Sequence, residues 1–465
     1  MNDLSTEVSD AVDDDGPSRM SLLISAVILL LFLVSWGVAN ASPSPASNLV
    51  FLLLEVALIS VVIWQACDPF ADAAQWIGDV FRLPGSVRGA TLDAIASSMP
   101  ELFSGIFFVI VAISAAQGGN EAALIAAGAE GYGSTIATCA GSAVYNMILI
   151  PAFCALVISF SRKERPTIDV EDEVISRDGV WFVACEMLLI VFLFQDTMMW
   201  WMGAIYIGLY FIYIIQLYRD AVKFRAKMKA IKAHLAQEGT DRDVSTVVDS
   251  LGTQGVRVST TLVQQAIEEV EDHERGIDED DDEGPESAGV LFGYLNIPLN
   301  YATAFAVIIV STVIAAIACY FLVEATIETA QELQVPAFFV AVILAAAASS
   351  VPDTFLAIGA AKRGDDSGAV SNAFGSNIFD LCICLSIPLF VNSYLTGWQP
   401  VSLTQNGEPI PGLVGLRILL VALTIVTLAV MWHNRQLTRN KAIGLCGLYL
   451  IFIGYAVLGS LGVLF

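Results

Sequence analysis

The stretch Ala96–Phe103 reads ASSMPELF, and Ala348–Phe355 reads ASSVPDTF, so the two copies begin 252 positions apart (348 minus 96). Each copy lies inside a long apolar run and carries one carboxylate, Glu101 or Asp353, near the middle of that run. A carboxylate at membrane depth is costly, so such acids generally have a function. The duplication therefore predicts an internal repeat whose two acids handle cations.

The composition predicts an all-α polytopic membrane protein. The 465 residues are 56% hydrophobic, and the mean hydropathy is +0.69, which exceeds ordinary soluble usage. The formal net charge of −25 arises from an acidic N-terminal tail and from a central run, Asp278–Glu283, that reads DEDDDE. No basic groove with interleaved aromatic residues is visible, which excludes nucleic acid as a partner.

Apolar windows predict eleven membrane spans, and the Lys and Arg residues predict their orientation. The spans lie at about 20–40, 48–66, 88–116, 133–160, 178–196, 198–218, 298–323, 335–361, 367–391, 413–432 and 440–464. Lys and Arg concentrate in alternate loops, which the positive-inside rule assigns to the cytoplasm. This orientation places the N-terminus and the central loop in the cytoplasm.

We therefore divide the chain into four parts. Residues 1–47 form an acidic cytoplasmic tail and an extra anchor helix, and residues 219–297 form a cytoplasmic regulatory loop. Residues 48–218 and 298–465 form two transmembrane repeats. The helix with Glu101 runs outwards and the helix with Asp353 runs inwards, so the repeats have inverted topology.

A second motif follows each acid, since Gly141–Asn146 reads GSAVYN and Gly375–Asp380 reads GSNIFD. Two inverted units of two helices each are typical of secondary transporters, whose site lies between the halves near the bilayer midplane.

The spacing within each unit places oxygen atoms on one helix face. Ala94, Ser97, Ser98 and Glu101 lie at i, i+3, i+4 and i+7, and Ala346, Ser349, Ser350 and Asp353 repeat this stripe. Ser142 with Asn146, and Ser376 with Asp380, form i, i+4 pairs on the partner helices. Pro100 and Pro352 are expected to kink or break their helices and to free carbonyl oxygens.

Oxygen ligands without nitrogen or sulfur suit the hard cations Na⁺ and Ca²⁺. The alternative interpretation is that the serines and glycines only allow close helix packing, as small residues do in membranes. Packing explains the small residues but leaves the carboxylates without a role.

At these motifs the chain resembles the calcium/cation antiporter superfamily, and in particular the sodium/calcium exchangers. The resemblance implies a ten-helix core of two inverted repeats that begins near residue 48. It implies Glu101 and Asp353 as central Ca²⁺ ligands, joined by oxygens of Ser97 and Ser349. It also implies Na⁺ sites and central polar positions from the residues Ala94, Ser98, Ser142, Ala346, Ser350 and Ser376, with Asn146 and Asp380 at the centre.

The resemblance implies an antiporter that exchanges Na⁺ for Ca²⁺ by alternating access, with no enzymatic activity and no cofactor. Ala96 and Met99 depart from the usual motif, which leaves the cation preference open. Asp380 is similar to potassium-dependent members, whereas SVPDTF and the first unit favour the potassium-independent branch. A cation/proton exchanger for Ca²⁺ or another divalent ion is the first alternative.

A gated cation channel is the second alternative, but inverted repeats speak against it, and a membrane scaffold is the third. The resemblance also implies that the protein resides in the plasma membrane, with an endomembrane or organelle as the alternative. A cytoplasmic regulator of the central loop is a further expected partner.

Deletion of Asp241–Glu286 should preserve transport and change only its activation or inhibition, because the charge runs of this segment lie outside the repeated units. Ion flux into liposomes would measure both effects. A folded deletion variant that cannot transport would place the segment in the transport core.

Overall fold

The computed structural model describes residues 19–461 except 82, 84, 163–165, 171–173, 237–241, 254–257, 259–261, 265, 268–269, 271–286, 406–407 and 410–412. The acidic N-terminal tail and the Asp278–Glu283 run therefore lie outside the described residues.

The first half of the chain is a series of long helices. Ser44 begins α2 with a capping box, and Asn120 caps the 41-residue α5, because their side chains accept hydrogen bonds from backbone N–H groups in the first turn. The helices are α1 Arg19–Ala41, α2 Pro45–Val80, α3 Gly85–Arg88, α4 Ala94–Ala115, α5 Glu121–Ser161, α6 Val180–Leu193 and α7 Trp200–Leu235.

The second half repeats the pattern after the central loop. Its helices are α8 Val244–Thr253 within the loop, then α9 Tyr301–Leu333, α10 Ala337–Val340, α11 Ala346–Ser349, α12 Val351–Lys362, α13 Asp366–Phe379, α14 Ser386–Leu395, α15 Leu413–Trp432 and α16 Arg439–Ser460. In the described part of the chain, four π-helical segments adjoin these helices, at Gly89–Asp93, Val174–Gly179, Ala341–Ala345 and Asp380–Cys384.

Each of the eleven predicted spans coincides with helix. Within the described residues, nine helical stretches are long and apolar enough to cross a membrane. A tenth, Ile418–Trp432, is apolar but shorter, and the eleventh corresponds to α6 and the π-helical segment before it. The prediction of an all-α polytopic membrane protein is confirmed.

Short strands pair at the ends of the helices. They are β1 Ile168–Asp169 with β8 Gln436–Leu437, β2 Thr197–Met198 with β5 Val401–Ser402, β3 Ser287–Val290 with β4 Leu295–Pro298, and β6 Thr404–Gln405 with β7 Glu408–Pro409, all antiparallel. Of these pairs, β3 and β4 form a hairpin directly before α9.

The helices form an inner core and an outer layer. The largest apolar cluster joins α4–α7 with helices of the second half, and we call α4–α7 and α10–α16 the inner core. Helices α2 and α9 pack on each other through separate clusters that include Ile63 and Leu322, and we call this pair the outer layer. Ser60 of α2 donates a hydrogen bond of 2.9 Å to the Ala348 carbonyl oxygen, and this bond links the outer layer to the inner core.

The hydrogen bond from Ser60 to Ala348 depends on Pro352. The carbonyl of Ala348 lies four residues before Pro352, which has no N–H to donate, so the oxygen is free to accept from Ser60. The helix also breaks here, since α11 ends at Ser349 and α12 begins at Val351. In the first half, by contrast, α4 continues across Pro100, so an interruption is found in the second copy alone.

A π-helical segment precedes the acid-bearing motif in both halves, and a glycine of the opposite half packs on each. A Cβ at Gly141 of α5 would overlap the carbonyl oxygen of Val342. A Cβ at Gly375 of α13 would lie 2.6 Å from the Cα of Ala90. These contacts bring the backbones of the two repeats together, as small residues allow in membrane proteins.

Gly141→Ala and Gly375→Ala should each lower the free energy of unfolding by about 1–3 kcal/mol, because the added methyl group meets backbone atoms that cannot rotate away. Gly447→Ala in α16 is the matched control, since nothing lies within 4 Å of a Cβ there. Thermal unfolding in detergent measures the difference, and equal unfolding temperatures for all three variants would contradict the prediction.

Candidate cation site

The structure brings the predicted site residues together between the two repeats. All twelve have a solvent-exposed fraction of 0%, so none faces lipid or bulk water: Ala94, Ser97, Ser98, Glu101, Ser142, Asn146, Ala346, Ser349, Ser350, Asp353, Ser376 and Asp380. They come from α4 and α5 of the first half, and from α11 to the π-helical Asp380–Cys384 of the second half.

Ser142 is the centre of one group of oxygen atoms. Its Oγ lies 3.1 Å from Glu101 Oε1, 3.0 Å from Asp380 Oδ2 and 2.9 Å from Ser350 Oγ. Asn146 Nδ2 donates to the same oxygen at 3.3 Å, and Ser350 Oγ donates to Glu101 Oε1 at 3.3 Å. A hydroxyl has one proton, so Ser142 donates to a single carboxylate at a time.

Asp353 is the centre of a second group. Its Oδ1 accepts a 2.6 Å hydrogen bond from Ser376 Oγ, and Ser376 Oγ lies 3.2 Å from Ser97 Oγ. Asn146 also lies beside this carboxylate. The pair Ser376–Asp353 thus repeats the pair Ser142–Glu101, as the inverted motifs predict.

The carboxylates retain oxygen atoms without a hydrogen-bond partner. Glu101 Oε2, Asp353 Oδ2 and Asp380 Oδ1 are buried and accept no hydrogen bond, and neither does the amide oxygen of Asn146. Buried polar atoms are normally satisfied, so several orphan oxygens in one place point to a missing partner. Every orphan here is an acceptor, so a cation, a proton or a water molecule would complete it.

No ion pair among the described residues includes Glu101, Asp353 or Asp380. Basic side chains in the described part pair with other acids, for example Arg88 with Asp79 and Arg177 with Asp178. The three acids of the site are therefore not paired with a basic side chain of the described residues.

The predicted backbone ligands accept hydrogen bonds from serines of the same repeat. The Ala94 carbonyl accepts from Ser97 Oγ at 3.3 Å, and the Ala346 carbonyl accepts from Ser349 Oγ at 3.2 Å. Within the described residues, no group of three or more His, Cys, Asp or Glu side chains has the arrangement of a resident metal site. The acids are instead joined through serine hydroxyls, with Ser142 between Glu101 and Asp380.

Three features of the site were missed from the sequence. Cys384 Sγ contacts the Ser98 carbonyl oxygen at 3.6 Å, Asn377 Nδ2 donates to the Ala143 carbonyl at 3.0 Å, and Asp380 begins a π-helical segment. Single-turn π segments are frequent at functional sites. Asn377 follows Ser376 in the second motif, so its polarity in an apolar run was the available signal.

Comparison with known proteins identifies the family to which the chain belongs. The family model described as sodium/calcium exchanger protein matches residues 49–219 and 303–458, which together are well over half of the chain. The chain belongs to the sodium/calcium exchanger protein family.

Relatives of the exchanger differ in how much they share with it. Human sodium/potassium/calcium exchanger 5 is 23% identical over 459 residues, which cover 90% of this chain and 85% of that protein. Human sodium/potassium/calcium exchanger 4 is 29% identical over 165 residues, which cover 35% of this chain and 22% of that protein. The crystal structure of the H⁺/Ca²⁺ exchanger CAX has a TM-score of 0.55 at 14% identity, covering 96% of this chain and 93% of that one, and shows the fold alone.

Glu101→Gln and Asp353→Asn should each reduce Ca²⁺ uptake at least about tenfold, equivalent to about 1.4 kcal/mol of lost binding, because each removes a buried charge that a cation would balance. Glu186→Gln is the matched control. Glu186 is also a buried membrane acid, but its Oε1 accepts from Thr424 at 2.9 Å, away from the site.

Uptake into liposomes at equal protein content measures all three variants. Normal uptake by either site variant would remove that carboxylate from the site. Loss of uptake in the Glu186 variant as well would indicate a general requirement for buried acids rather than a local one.

Proposed function

We propose that the exchanger moves Ca²⁺ against Na⁺ across the plasma membrane by alternating access, with Glu101 and Asp353 as the shared ligands. The observation that carries this proposal is the set of unpartnered oxygens on buried acids that pair with no basic side chain of the described residues. Family membership and the oxygen-only donor set support the choice of Na⁺ and Ca²⁺.

Coupling follows from competition for these acids. Either Na⁺ ions or one Ca²⁺ neutralise Glu101 and Asp353, and binding both at once would leave these two carboxylates with an excess of positive charge. An empty site would leave charges buried without a partner, at a cost of several kcal/mol per ion. The protein therefore changes conformation readily only when loaded, which gives exchange instead of leak.

The ligand positions follow the inverted repeat. Ser97 and Ser349 complete the Ca²⁺ position, and Ser98, Ser142, Ser350, Ser376 and the carbonyls of Ala94 and Ala346 supply Na⁺ ligands. Asn146 and Asp380 occupy the central polar positions. We place the N-terminus and the central loop in the cytoplasm, in accordance with the distribution of Lys and Arg.

The charge of Asp380 decides whether K⁺ is transported together with Ca²⁺. Three buried acids carry three negative charges, so one Ca²⁺ leaves one charge unbalanced, and K⁺ would neutralise it in a medium of low dielectric constant. The relatives named above are sodium/potassium/calcium exchangers, which favours K⁺ coupling here over the K⁺-independent branch that SVPDTF and the first unit favour. Protonation of Asp380 would serve the same purpose without K⁺.

Na⁺-driven Ca²⁺ uptake should fall at least about tenfold when an inert organic cation replaces K⁺ on both sides, because the net charge of the loaded site is then unfavourable. Asp380→Asn removes that charge, so its uptake should be indifferent to K⁺. Flux in liposomes with Na⁺, K⁺ and H⁺ gradients imposed one at a time measures this.

The other outcomes are equally informative. Uptake by the native protein that ignores K⁺ would restore the K⁺-independent interpretation. Uptake driven by a proton gradient without Na⁺ would favour H⁺/Ca²⁺ exchange, and uncoupled flux that follows the membrane potential would favour a channel.

A further inference from the structure

The hairpin β3–β4 links the central loop to the outer layer. Ala288 is fully buried in an apolar cluster with Ala73 of α2, and with Ala304 and Val307 of α9. The Gly289 N–H donates to Asp72 Oδ2 at 2.8 Å, so the base of the hairpin is fixed to α2. The hairpin also continues directly into α9, and the base therefore belongs to the outer layer.

The tip of the hairpin reaches deeper along α2. Leu291, Phe292 and Gly293 have φ values of 53°, 61° and 81°, which close a tight turn. The Phe292 N–H donates to Gln65 Oε1 at 2.8 Å, and the ring of Phe292 meets the ring of Trp64 edge to face, with centroids 5.6 Å apart. Gln65 lies seven positions before Asp72, about two helical turns deeper in α2.

Trp64 then joins the outer layer to the inner core. Its ring stacks on Phe355 of α12 with centroids 3.9 Å apart and planes 10° apart. Phe355 is two residues after Asp353, so Trp64 contacts the same short helix that carries a central acid of the site. The stack covers one face of a Phe355 side chain that is otherwise exposed.

The contacts form a continuous path from the central loop, through Phe292 and Trp64, to the helix of Asp353. We propose that the stack of Trp64 on Phe355 is a latch between the outer layer and the inner core, and that the hairpin sets its strength. In alternating access one bundle of helices moves against another; with the outer layer as the moving bundle, the latch opens during each cycle. This inference rests on the proposed function.

The test compares a chemical bridge across the latch with one inside the outer layer. Trp64→Cys with Phe355→Cys, joined by a short bis-methanethiosulfonate, bridges α2 and α12. Asp72→Cys with Gly289→Cys bridges the hairpin and α2 within one layer; a Cβ at Gly289 would lie 3.7 Å from Asp72 Oδ2, so this pair is close enough. Each single-cysteine variant, treated identically, controls for reagent on one thiol.

Bridging the latch should reduce Na⁺-driven Ca²⁺ uptake at least about tenfold, and reduction with dithiothreitol should restore it, because a locked protein cannot exchange conformations. The bridge within the outer layer should leave uptake unchanged. Full uptake by the bridged Trp64–Phe355 pair, with bridging verified by mass spectrometry, would overturn the latch.

A second arm tests the role of the hairpin. Phe292→Ala removes the edge contact to Trp64, and it should abolish whatever change the deletion of Asp241–Glu286 produces in activation or inhibition, a non-additivity expected of coupled elements. Additive effects would separate the hairpin from the latch. Absence of exchange in the unmodified protein would instead contradict the proposed function.

Discussion

The structure depends on the burial of three carboxylates for which the described part of the protein supplies no positive charge. Glu101, Asp353 and Asp380 are shielded from lipid and water, and each retains an oxygen without a hydrogen-bond partner. Removing an ion from water into a protein interior costs several kcal/mol, and serine hydroxyls offset only part of that. In the proposed function a bound cation supplies the missing stabilisation, so loading of the site and conformation are coupled.

Close backbone approach makes this arrangement of hydroxyls possible. A serine side chain is short, so Ser142 reaches Ser350 of the opposite repeat only because α5 lies almost in contact with the Ala341–Ala345 segment at Gly141. Gly375 performs the same function against Ala90. The π-helical segments widen the helices at these two places, so the glycines and the π turns act together to bring the oxygen atoms of the two halves within hydrogen-bond distance.

Much of the site followed from the sequence, because helical spacing and a duplicated motif report directly which side chains share a face. The stripe from Ala94 to Glu101 needed only the 3.6-residue period. The π segments did not follow, since they are changes of backbone register that no residue type specifies. The hairpin Ser287–Pro298 was not predicted either, because a short strand pair next to an acidic loop has no periodic apolar signal of its own. The two prolines also differ in effect, since the α-helix continues across Pro100 but breaks before Pro352, where the Ala348 carbonyl accepts from Ser60.

The two repeats are alike in backbone and unlike in charge, and this difference has a physical consequence. Asn146 and Asp380 occupy corresponding positions, but Asn146 donates to Ser142 whereas Asp380 accepts from it. Ser142 therefore lies between a donor of the first half and acceptors of both halves, which orients its single proton towards the carboxylates. A symmetrical pair of amides would leave the site with less negative charge, and a symmetrical pair of acids would leave the Ser350 hydroxyl in place of Asn146 as the donor to Ser142. The asymmetry thus sets both the negative charge of the site and the direction of the hydrogen bonds around Ser142.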